Sequence, residues 1–128
     1  MTLMMYNPRV LELQGRFDTH SSTDLRQQFE QLAQDAIPSE TASPVWLLDL
    51  SQVSSIDSSG LSTLIAGFKL ARQRGCSLLF CAPSDPVRMV FEIAQLDRVF
   101  PIYDSQAAAL EAYQLDRLDQ LAPELRAA

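Results

Sequence analysis

The 128-residue chain is poor in the residues on which most catalytic and metal-binding sites depend. It has one histidine, two cysteines and four glycines. With His20 alone, a serine hydrolase would have a single candidate base, and no Gly-x-Ser-x-Gly elbow is present. The cysteines, Cys76 and Cys81, do not form a Cys-x-x-Cys pair, so no zinc arrangement is legible. Five positions apart on a predicted strand, they should point to opposite faces and pack as small apolar side chains. No Gly-x-x-x-x-Gly-Lys loop occurs, which leaves nucleotide binding without support. Basic residues are also scarce, 10 against 16 acidic, for a net charge of −6. That balance argues against nucleic acid and against anionic membrane surfaces. No apolar run approaches the ~18 residues of a membrane span, and the first six residues lack a basic, signal-like start. A cytoplasmic protein without membrane insertion is expected.

What remains is a soluble, globular composition, 47% hydrophobic and 20% charged. A chain of this length makes one domain able to bury ~two-thirds of its unfolded surface. Its centre is the stretch 54–61. Before it, Val45-Trp46-Leu47-Leu48-Asp49-Leu50 reads as a buried strand. After it, Leu61, Leu64, Ile65 and Phe68 recur at helical spacing, so a helix runs to about residue 74. Asp57, Ser58 and Ser59 are all good caps at the point where that helix begins. Unpaired N–H groups and the positive end of the helix dipole favour an anion there, such as a phosphate.

Elsewhere, strands are expected at 3–6, 9–14, 77–82 and 100–103. Residues 15–20 and 36–44 read as loops. A helix over 22–35 opens on a Ser21–Asp24 capping box and carries Leu25, Phe29, Leu32, Ala33 and Ala36 on one stripe. A further helix starts at Ser84 or Asp85 with Pro86 in its first turn, and buries Val87, Val90, Phe91 and Ala94. The last, capped by Asp104 or Ser105, runs to about residue 121, before Pro123. Strands alternating with helices imply an α/β fold, with a mixed, partly parallel sheet of four to five strands and about four helices.

Leu48-Asp49-Leu50-Ser51 followed by Ile56-Asp57-Ser58-Ser59-Gly60-Leu61 resembles the STAS domain of bacterial anti-sigma factor antagonists. Val10-Leu11-Glu12-Leu13-Gln14-Gly15-Arg16-Phe17-Asp18 resembles that family's first core strand and Gly-x-x-Asp turn. Residues 75–110, with Leu96-Asp97-Arg98-Val99-Phe100-Pro101, resemble its last strands and helices. Gln95 stands where the family usually has glycine, which puts the end of the third helix in question. The resemblance implies a STAS domain over 1–116 and a helix extension and tail over 117–128. There Leu115, Leu118, Leu121 and Leu125 either cover the domain's own flank or offer a partner surface.

Spacing alone makes Ser58 a helix cap. The resemblance makes it the phosphoacceptor of an ATP-dependent anti-sigma factor serine kinase, with Ser59 as the rival hydroxyl. Asp57 either caps the helix or orients Ser58. Gly60 allows close approach by another backbone or serves packing. Asp18 matches the family's first-loop aspartate beside the acceptor, and Thr19 and His20 extend that loop. The implied function is a non-enzymatic, cofactor-free binding module. Unphosphorylated, it binds an anti-sigma factor and frees a sigma factor; phosphorylated, it lets go until a protein phosphatase resets it. The alternatives are a STAS subunit of a lipid ABC transporter or a scaffold in a signalling assembly. A receiver-like role for Asp49 lacks the acidic pair that a magnesium site would need.

Overall fold

The computed structural model describes residues 8–35 and 44–121, with side chains as far as Leu115. The expected edge strand over 3–6, the loop over 36–43 and the tail lie outside the described residues. The order is β1 (Arg9–Phe17), α1 (Thr19–Asp35), β2 (Val45–Ile56), α2 (Ser58–Gln73), β3 (Ser77–Cys81) and α3 (Asp85–Ile93). A 3-10 turn (Leu96–Arg98), β4 (Ile102–Tyr103) and α4 (Gln106–Leu121) follow. The four described strands lie in sequence order, β1-β2-β3-β4, and every pair is parallel. Each crossover therefore carries a helix, and the central strand is covered on both faces. That is why Val45, Trp46, Leu47, Leu48 and Leu50 can be apolar without alternation.

The sheet separates two layers. On one side Trp46, Leu48, Leu50, Leu78 and Phe80 meet α1, α2 and α3 through Leu25, Phe29, Leu64, Val87 and Phe91. Phe100 stacks on Phe80 at 4.3 Å between ring centroids and meets Phe91 edge-on at 5.7 Å. On the other side Val45, Leu47, Leu79 and Cys81 lie under Ala109 and Tyr113 of α4. Cys76 and Cys81, both buried thiols, belong to opposite layers.

Several boundaries differ from the sequence reading. Residues 15–20 are not a loop. β1 continues through Arg16 and Phe17, paired with Ser55 and Ile56, and passes two register shifts on the way. Gly15 makes this possible by taking φ +77°, which adjusts the strand without ending it. α1 then starts at Thr19, because the Asp18 carboxylate caps it by accepting the N–H groups of His20 (3.1 Å) and Ser21 (3.2 Å). The Ser21–Asp24 box does not form, since the Ser21 hydroxyl donates to the Arg16 carbonyl at 2.8 Å. β2 likewise runs six residues past Leu50, to Ile56.

Ser84 occupies the N-cap of α3, but its hydroxyl donates to the Val53 carbonyl at 2.7 Å and so ties that helix to β2. Gln95 itself takes the left-handed conformation, φ 61°, that a glycine would have supplied. Ser105 caps α4, accepting the Ala108 N–H at 3.0 Å. Leu115 is exposed; the side chains of Leu118 and Leu121, and Leu125 altogether, lie outside the described residues.

Candidate functional site

In a parallel sheet flanked by helices, every helix begins at the carboxyl edge of the strands, and loops there are the natural place for recognition. Two of these starts, of α1 and α2, meet. The Asp57 N–H donates to the Phe17 carbonyl at 3.2 Å, joining the end of β1 to the start of α2. Beside it the hydroxyls of Thr19 and Ser59 are 3.1 Å apart. Gly60 closes the junction. A β-carbon at this position would stand 2.1 Å from the Phe17 ring and 2.7 Å from its carbonyl oxygen. The close approach is thus to this chain's own β1, which favours the packing role among those open to Gly60.

Asp57 is the N-cap of α2. Its backbone is extended, and its Oδ1 accepts the Gly60 N–H at 2.9 Å. Ser58 is consequently the first helical residue and not the cap, a correction to the reading from spacing alone. Its side chain is exposed, and its hydroxyl makes no hydrogen bond to any described residue. Ser59 is half-buried and bonded to Thr19. The two adjacent serines therefore differ: one hydroxyl is presented to solvent, the other is held between helices.

Asp18 sits at the neighbouring helix start. The Ser21 N–H is the largest influence holding its carboxyl below the usual range, against a smaller desolvation effect and with help from His20 and the Ser21 hydroxyl. The structure thus brings Asp18, Thr19, Asp57, Ser58, Ser59 and Gly60 together on one edge of the molecule. The sequence reading missed Phe17, whose ring and carbonyl anchor both halves. Its only signal is an aromatic residue just ahead of a capping aspartate. His20 is exposed in the first turn of α1, and among the described residues no serine pairs with its ring. No group of three metal-ligating side chains occurs among the described residues. None of the described helices is long and apolar enough to cross a membrane.

The family model for the STAS domain matches residues 5–109, spanning β1 to the first turn of α4. The anti-sigma F factor antagonist of Paenibacillus polymyxa is 30% identical over 79% of this chain and 82% of its own length. The chain belongs to the STAS domain family. Among solved structures, an anti-sigma factor antagonist from Mycobacterium paratuberculosis shares the fold of this STAS domain with a TM-score of 0.68. It is 25% identical, over 80% of this chain and 82% of that one. The STAS domain of a SulP transporter from Vibrio cholerae superposes with a TM-score of 0.64, at 19% identity over 85% and 82% of the two chains. That second likeness concerns the fold alone.

Proposed function

We propose that this STAS domain is an anti-sigma factor antagonist whose binding edge is switched by phosphorylation of Ser58. The observation that carries the reading is the contrast between the two serines: Ser58 exposed and without a described partner, Ser59 bonded to Thr19. The kinship to anti-sigma factor antagonists supports the partner class. Unphosphorylated, the edge formed by Asp18, Thr19, Asp57, Ser58, Ser59 and Gly60 would bind an anti-sigma factor acting as a serine kinase. The kinase supplies ATP, magnesium and the base; this chain supplies only the acceptor and the surface. A phosphate on Ser58 adds about −1.5 to −2 charges at pH 7, beside two capping carboxylates. It falls at a helix N-terminus, which tolerates the charge, so the fold survives. A partner seated on the same spot would meet an unmatched dianion and let go. A phosphatase then restores the hydroxyl, and the cycle runs in the cytoplasm.

We take the domain to extend to about residue 116, with 117–128 as an extension. The test is a kinase assay with the cognate anti-sigma factor, followed by calorimetry on wild type, Ser58→Ala and Ser58→Asp. Label on Ser58 alone, retained binding by Ser58→Ala and weak binding by Ser58→Asp are the expected results. Label on Ser59, or unchanged affinity of the protein phosphorylated at Ser58, would overturn the proposal.

A further inference from the structure

Asp49 is the one buried carboxylate among the described residues. It lies within β2 on the face covered by α4, with Glu12 of β1 and Cys81 of β3 as its register partners. Its Oδ1 accepts the Ser51 N–H at 2.9 Å, and its Oδ2 accepts from Gln106 Nε2 at 2.6 Å. No described cation pairs with it. Its neighbour Glu12 carries charge of the same sign; burial first, then Asp49 and Glu12 together, push the Cys81 thiol up to about 12.

Gln106 is the first residue of α4, so this bond fastens the helix's opening turn to the sheet. Among the described residues, the apolar contact beneath α4 comprises six buried residues against sixteen in the opposite layer. A hydrogen bond to a charged group adds directly to what holds the first turn of α4 down. Without Gln106, the anion would be left under the helix and could regain hydration only by admitting water there.

We propose that Asp49 and Gln106 form a latch for α4, and that α4 lifts from the sheet as a unit ahead of the rest of the domain. The lifted state bares Val45, Leu47, Leu79 and Cys81, an apolar face otherwise closed. The inference is independent of what binds at Ser58.

The two thiols make it testable in the full chain, because Cys81 lies under α4 and Cys76 lies in the other layer. Labelling with a thiol reagent, read residue by residue by mass spectrometry, reports each layer separately. Gln106→Leu should speed labelling of Cys81 roughly ten- to hundredfold while leaving Cys76 unchanged. The double variant Asp49→Leu with Gln106→Leu, which removes the anion together with its partner, should restore slow labelling. An unchanged Cys81, equal acceleration of both thiols, or a double variant as fast as the single one would overturn the latch. Wild-type amide exchange provides a check that needs no variant. Amides of α4 should exchange faster than those of α2, and equal protection counts against the proposal.

Discussion

Thr19 and Ser59, forty positions apart in sequence, share a hydrogen bond of 3.1 Å between their hydroxyls. This bond joins the first turns of α1 and α2 and leaves two adjacent serines in different surroundings. Cutting it should lessen that difference. In a Ser58→Ala background, Thr19→Ala should raise kinase labelling of Ser59 above the level seen with Thr19 intact. Peptide mass spectrometry reads this directly, and labelling that stays at background would mean the bond does not restrain Ser59.

The cap of α2 predicts opposite costs for two neighbours. Asp57 accepts the Gly60 N–H, so Asp57→Ala should destabilise by ~0.5–2 kcal/mol. Ser58, one residue on and exposed, caps nothing, so Ser58→Ala should stay within about 0.5 kcal/mol of wild type. Urea denaturation of the two variants distinguishes them. A larger loss in Ser58→Ala than in Asp57→Ala would contradict the assignment of the cap.

Gly60 is enclosed by Phe17. In Gly60→Ala the new methyl group would meet a backbone carbonyl at 2.7 Å, which cannot turn aside as a side-chain end can. A loss of about 1–3 kcal/mol is expected, with a lower melting temperature and amide shifts centred on residues 17–19 and 57–60. A melt equal to wild type would show that the two helix starts are not tightly joined.

Gln95 holds φ 61°, where a side chain costs roughly 1–2 kcal/mol. Gln95→Gly should relieve that cost, less the added freedom of glycine in the unfolded chain, for a net gain of about 0.5–1 kcal/mol. The urea midpoint should rise with an unchanged slope. A falling midpoint would indicate that the glutamine side chain contributes more than its backbone costs.

Asp49 sets a pH dependence whose sign follows from its surroundings. Burial pushes its carboxyl up, but hydrogen bonds from Gln106 and Ser51 outweigh this and hold it below the ordinary 3.8. A carboxyl lowered by folding contributes stability in full above its unfolded value, and that contribution is lost as pH falls through the lowered one. The stability advantage of wild type over Asp49→Asn should therefore be constant near neutral pH and shrink below about pH 4. An advantage that grew on acidification would reverse the argument.

The parts of this fold that sequence makes legible are those decided locally. An unbroken apolar run such as Val45–Leu50 needs cover on both faces, and spacing from Leu61 to Phe68 needs a helix. The start of α2 could be placed because three capping residues in a row are written there, but which of them is the cap could not: spacing offered Ser58, and the backbone makes it Asp57. The polar stretch after Leu50 could not be read as strand, since Ser51 to Ile56 resembles a turn until Gln14 to Phe17 is laid beside it. Gly15 misleads for the same reason: taken alone it ends a strand, whereas here its positive φ lets one continue. The Asp49–Gln106 bond spans 57 positions, and no local pattern announces it.

The parallel pairing of β1 with β2 bears on how the chain comes off the ribosome. Arg16 and Phe17 must wait for Ser55 and Ile56, so this ladder closes across a long intervening segment, which is slow compared with forming either helix. The two halves of the proposed binding edge, Asp18–Thr19 and Asp57–Ser59, are strangers until that closure is complete. A nascent or partly unfolded chain would carry Ser58 without the edge around it. A kinase that reads the assembled edge would pass over such chains, so phosphorylation would count finished molecules only.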